Sequence, residues 1–209
     1  MREEATHVDQ EARAGWESRE ARWIETTDLQ GQDGAEATAW LGKVSALEQR
    51  MDDMTESYRR HQMERMRKGA CSDEACIIFS ELLTDFERIG DHADNLAGYT
   101  RMLNRRDIAF SQTAQQEIVS MQDICLNGIQ QLLSGQAGSV EWLTQVSALE
   151  QRIDDMTRDY RRSHLARMQS GECSAEGGIL YSELLTDFER IGDHILNIAQ
   201  ELSKVHQHI

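Results

Sequence analysis

The chain has 209 residues, with 37 acidic against 22 basic side chains and a formal net charge of −15. That balance provides no basic face for a phosphate backbone, so it excludes a nucleic-acid partner, disfavours anionic membrane surfaces, and suits cations or basic protein surfaces. Proline is absent, and Ala, Glu, Gln, Arg, Leu and Met are plentiful, which predicts an all-α protein.

The first predicted helix, over 5–32, is weak: Val8, Ala12, Trp16 and Trp23 make a thin apolar stripe among charges. Over 40–66, Val44, Leu47, Met51, Met54 and Tyr58 alternate at spacings of three and four, the seam of an amphipathic helix. Gly69 then fits a helix stop and Ser72 the next N-cap. Phe79, Leu82, Phe86, Ile89, Ala93 and Leu96 continue the same spacing on a second long helix. So short a turn makes the two helices antiparallel neighbours. A third clear helix is expected over 107–134, capped by Asp107, with Ile118, Met121, Cys125, Ile129 and Leu132 inside. The hairpin then returns, with Gly171 and Ser174 at its turn.

That return is a repeat. Residues 40–101 and 142–203 align at an offset of 102 without insertion, and 38 of the 62 positions are identical. The expected architecture is therefore two pseudo-symmetric three-helix bundles, one over 1–104 and one over 105–209. Trp40 and Trp142 head their helices as packing or capping residues. Cys71, Cys76, Cys125 and Cys173 are too few and too scattered for a disulfide scaffold, and Cys71 and Cys173 read as small packing or capping residues beside a helix start. The longest apolar runs are about five residues, too short to cross a bilayer. Met1 to Ala14 is charged, unlike a signal peptide, so a cytoplasmic location is expected.

Each copy carries, among other acidic steps, two Glu-x-x-x-Asp pairs: Glu48/Asp52 and Glu87/Asp91, then Glu150/Asp154 and Glu189/Asp193. Glu and Asp four apart share one helix face. Counted from a hairpin midpoint at Ala70, Glu48 lies level with Asp91 and Asp52 with Glu87. The same count from Glu172 pairs the second set. Each hairpin thus presents a square of carboxylates, off the apolar seam and toward the surface. Like charges placed so destabilise the helices unless cations occupy the space or Arg50, Arg88, Arg152 and Arg190 offset them. Carboxylate oxygens suit hard or borderline metal ions. Glu81/Asp85 and Glu183/Asp187 repeat the spacing. Asp85 with His92, and Asp187 with His194, read as buried-edge histidines satisfied by carboxylates; His206 and His208 read as solvated.

An enzyme is not expected. Ferritin-type oxidases need Glu-x-x-His steps facing a bundle core, and the one such step is Glu4 to His7 near the charged N-terminus. There is no phosphate-binding glycine loop, no His-Glu-x-x-His and no nucleophile elbow. The remaining readings are a metal-binding regulator, a metal-independent interaction bundle, and, last, a metal-storing or oxidase bundle.

With these residues in view, the chain resembles the PhoU family of phosphate-uptake regulators, including the PhoU-type domain of sodium/phosphate cotransporter-like proteins. The resemblance rests on Glu-Arg-Ile-Gly-Asp-His at 87–92 with Asn95-Leu96-Ala97, and at 189–194 with Asn197-Ile198-Ala199. It also rests on Leu47-Glu48 to Asp52 and Leu149-Glu150 to Asp154. It implies metal ligands at Glu48, Asp52, Glu87, Asp91, Glu150, Asp154, Glu189 and Asp193. The ions implied are divalent or trivalent, iron or zinc first, then manganese or magnesium. It further implies a phosphate transporter component and a sensor kinase as partners; apart from the resemblance, a homodimer is among the assemblies open to the chain, and its short apolar runs predict no insertion into the membrane. The halves of this chain are more alike than family halves usually are, and its first helix is poorer in apolar residues.

Overall fold

A computed structural model describes residues 34–133 and 138–207. The helix expected over 5–32, with the Glu4 to His7 step and His208, lies outside them. The described chain is all-helical, without a strand: α1 (Gly34–Arg67), α2 (Asp73–Arg106), α3 (Gln112–Leu132), α4 (Val140–Ser170) and α5 (Ala175–Gln207).

Local chemistry closes both hairpin turns where the sequence predicts. Gly69 and Gly171 take positive φ of 64° and 78°, the left-handed backbone that closes a helix and that glycine adopts without Cβ strain. Ser72 Oγ accepts from the Ala75 amide at 3.2 Å, and Ser174 Oγ from that of Gly177 at 3.0 Å. Asp107 departs from its expected role. It sits in the left-handed region with φ 52° and closes α2 through its amide and the Leu103 carbonyl, while Ser111 caps α3. A short polar side chain tolerates that region, so Asp107 serves as a stop and not a start.

The two hairpins, α1–α2 and α4–α5, pack against each other mainly through α2 and α5, and α3 lies across α4 and α5. One core dominates. Met121, Cys125 and Ile129 of α3 meet Trp142, Val146 and Ile153 of α4 and Leu185, Phe188 and Ile195 of α5. Leu41, Val44 and Ala97 form a small separate cluster in the first hairpin. There Leu47, Met54, Phe79 and Phe86, expected inside the seam, are exposed among the described residues. Periodicity marks a helix face that wants cover; it does not say which element supplies the cover.

Cys71 is bonded to Cys76 in a disulfide, so its expected role as a lone packing residue is replaced by a covalent one. The link is local and is not a scaffold, since it spans five positions. Cys125 is free and buried, and Cys173 is free.

Candidate metal centres and the histidine pair

In each hairpin three carboxylates converge. One oxygen from each of Glu48, Asp52 and Asp91 lies within 4.8 Å of the others, and Glu150, Asp154 and Asp193 repeat the arrangement. All six are half-buried. The Glu-x-x-x-Asp step places the first two on one face of α1 or α4, and the antiparallel pairing brings in the Asp of α2 or α5. A glycine permits the approach: a Cβ on Gly192, next to Asp193, would come within 3.0 Å of Ile153 Cδ1. Gly90 is crowded more closely still, by the flexible end of the Met51 side chain.

The charges disturb one another. Glu48 is held above the usual carboxylate range, first by burial and then by the charges of Asp52, Asp94 and Asp91. Glu150 is raised in the same way, by burial and then by Asp154 and Asp193. Oxygens bound to one ion at roughly 2.0–2.6 Å are at most about 5 Å apart, so each triad matches a single shared cation. An all-carboxylate set favours hard ions and also accepts zinc.

The expected fourth corner stands apart. Glu87 accepts from Arg59 at 2.7 Å, and Thr84 Oγ1 accepts from the same guanidinium at 3.1 Å. Glu189, Arg161 and Thr186 repeat this at 2.8 and 3.0 Å. Arg88 and Arg190 reach Asp91 and Asp193, at 3.5 and 3.2 Å. Arg50 and Arg152 make no ion pair among the described residues. Sequence spacing missed Arg59 and Arg161 because they act 28 positions away; the one signal was Tyr-Arg-Arg at 58–60, repeated unchanged at 160–162.

The histidines are satisfied by carboxylates, but across the repeats. His92 Nδ1 donates to Asp187 at 2.6 Å, and His194 Nδ1 to Asp85 at 2.8 Å. The two rings stack with centroids 5.5 Å apart. Asn95 and Asn197 add contacts to the same carboxylates, at 3.4 and 3.3 Å. Burial and then the Asp187 charge push the Tyr99 hydroxyl up to about 12. This symmetric seam ties α2 to α5.

A second polar cluster, which the sequence did not flag, lies inside the second bundle. Arg167 forms a two-pronged pair with Glu117 at 3.1 and 2.7 Å, and the Tyr181 hydroxyl donates to Glu117. Buried His164 packs on the Tyr181 ring, with its protonation disfavoured by burial and then by Arg167. Its Nε2 has no hydrogen-bond partner among the described residues.

Comparison with known proteins agrees with this fold. The PhoU domain matches residues 118–202. The chain is 29% identical over 127 residues to the phosphate-specific transport system accessory protein PhoU homolog 1 of Thermotoga maritima, an alignment covering 60% of this chain. That alignment spans about half of the relative's length, 54%. The fold is shared with the phosphate transport system regulatory protein PhoU of Streptococcus pneumoniae, at TM-score 0.69 and 16% identity, covering 97% of this chain and 95% of that one. PhoU of Pseudomonas aeruginosa superposes at TM-score 0.61 and 18% identity, covering 97% and 99%. At such identities these structures speak for the fold alone.

Proposed function

We propose that this chain, a PhoU-domain protein by its match over residues 118–202, is a non-enzymatic regulator of phosphate transport in the cytoplasm. It acts by contact with a transporter component and a sensor kinase, and by holding metal at two carboxylate triads. The PhoU domain match carries this reading: the stretch it covers, residues 118–202, includes one whole triad, which the first hairpin duplicates. Among the described residues no helix is long and apolar enough to cross a membrane, which suits action through a protein partner. In this reading residues 5–32 complete the first bundle as α3 completes the second, for six helices in all.

The triads would bind through Glu48, Asp52 and Asp91, and through Glu150, Asp154 and Asp193. A bound ion supplies charge neutralisation at the point where each hairpin repels itself, and so braces α1 to α2 and α4 to α5. Glu87 and Glu189 stay with their arginines and orient the neighbouring turn. Iron and zinc come first among the ions, then manganese and magnesium.

The test has two arms. Added metal raises the melting temperature of the full chain, because an ion bound only to the folded state shifts unfolding by mass action. The shift vanishes when Glu48 and Glu150 become Gln and Asp52, Asp91, Asp154 and Asp193 become Asn. In the host, deletion raises phosphate uptake and starvation-gene output in rich phosphate, and the unaltered chain reverses both. Unchanged uptake on deletion defeats the regulator; an unmoved melting curve defeats the metal and leaves an interaction bundle.

A further inference from the structure

The two hairpin turns are closed by the same devices, except for one bond. Each has a glycine of positive φ ending the first helix and a serine capping the second. Cys71 and Cys173 stand just before those serines. Four positions after Ser72 comes Cys76, and four after Ser174 comes Gly178. The residue before an N-cap and the fourth helical residue are neighbours by helix geometry; in many helices an apolar pair there fixes the angle at which the chain enters. In the first hairpin that pair is Cys71 and Cys76, joined covalently. The second hairpin forms the same turn with no second cysteine, so the bond is not needed to build the turn.

From this we infer that Cys71 and Cys76 are a reversible oxidation site, a covalent staple that closes the entry to α2 under peroxide and opens under thiol reductant. Cys71 is the attacking group. It is partly exposed, whereas Cys76 is buried, and it sits beside the N-terminus of α2, whose unpaired amides favour a thiolate. The Cys71 sulfur attacks hydrogen peroxide; the O–O bond breaks, leaving a sulfenic acid on Cys71 and one water. The Cys76 sulfur then attacks the Cys71 sulfur, the S–S bond forms, and the S–O bond breaks to release a second water. Two electrons pass from the thiols to peroxide, and both thiol protons end in water. A dithiol reductant reverses the step by exchange.

The staple acts where the two sides of the hairpin meet. The Gln62 side-chain amide donates to the Cys76 backbone carbonyl, so the first turn of α2 is also tied to α1. Oxidation therefore stiffens the first hairpin and leaves the second untouched. Cys173 has Gly178 where a partner would stand, and Cys125 is fully enclosed, with its thiol pushed well up by burial alone.

The experiment uses the full chain, reduced and then treated with stoichiometric hydrogen peroxide. Expected are the loss of two titratable thiols and a tryptic peptide over 69–88 that is lighter by two hydrogens. Cleavage after Glu74, between the cysteines, leaves its two fragments joined until dithiothreitol is added. Amide exchange over 62–80 slows several-fold on oxidation and recovers on reduction, while 164–182 does not change. Cys71→Ser and Cys76→Ser each abolish the link, and Cys173→Ser leaves it intact. A link through Cys173, a link between two chains, or oxidation of Cys71 to sulfinic acid with Cys76 still free would overturn the proposal. So would a bond that forms without altering exchange over 62–80. Neither phosphate uptake nor metal enters these measurements, so their failure leaves the preceding reading standing.

Discussion

The first and second hairpins share most of their sequence but not their surroundings. Phe79 and Phe86 are 38% and 36% exposed among the described residues, whereas their counterparts Tyr181 and Phe188 are 1% and 5% exposed. The difference lies in α3, which covers the second hairpin. Hairpins identical at 38 of 62 positions therefore contribute a core in one place and, among the described residues, an open apolar face in the other. Pattern supplies the wish to be buried, and a neighbour has to grant it. The polar residues diverge likewise. Arg167 is buried against Glu117 of α3, while its counterpart Arg65 is exposed near the end of α1.

The largest test of this contrast is truncation of the matched aromatics. Phe188→Ala is expected to cost about 3–5 kcal/mol, by lost transfer energy and the cavity left behind. Phe86→Ala should cost less than half as much, since its ring meets solvent among the described residues and the apolar stripe over 5–32 is thin beside that of α3. Urea unfolding of the full chain measures both. Equal costs would break the contrast and show the first face to be covered in the full chain.

The matched arginines come next. Arg167→Ala strands the Glu117 carboxylate in the core and should cost about 3 kcal/mol, the usual penalty for removing one partner of a buried pair. Arg65→Ala, at the surface, should stay within about 0.5 kcal/mol. A small Arg167 effect would mean that water reaches Glu117.

The smallest effect concerns pH. His164 replaces the Gln62 of the first hairpin, and burial followed by the Arg167 charge holds its pKa below 6.5. The unfolded chain therefore binds that proton more readily. Its contribution is fully present above about pH 6.5 and declines as the pH falls from there toward the lowered folded value. His164→Gln should flatten the melting temperature over that window, while Gln62→His at the more open first tip should introduce little slope. A slope unchanged in His164→Gln would assign the pH response to another group.

Much of the fold follows from local rules. Glycine stops, serine caps and three-four apolar spacing act within a few residues, and that is why the hairpins and their turns are readable from sequence. The carboxylate triads are readable for the same reason. The i to i+4 step and an equal count from the turn bring Glu48, Asp52 and Asp91 together, with no knowledge of the rest of the molecule.

Other features depend on which surfaces meet. Asp85 and His92 share an edge of one helix, yet each finds its partner on the opposite repeat, because the pseudo-twofold packing of α2 on α5 sets Asp187 beside His92 and Asp85 beside His194. Glu87, expected in the square, is held by a long arginine side chain from a separate turn of α1. Asp107 closed a helix where it was expected to open one, since its role is set by the direction the chain takes after it. The sequence by itself determined the described helices, their turns, the duplicated hairpin and three of the four carboxylates expected at each convergence, all products of short-range geometry. Only the tertiary structure decided which apolar face is covered, which histidine meets which carboxylate and which glutamate an arginine holds. Those contacts lie 28 to 109 positions apart, and no local periodicity carries information over such separations.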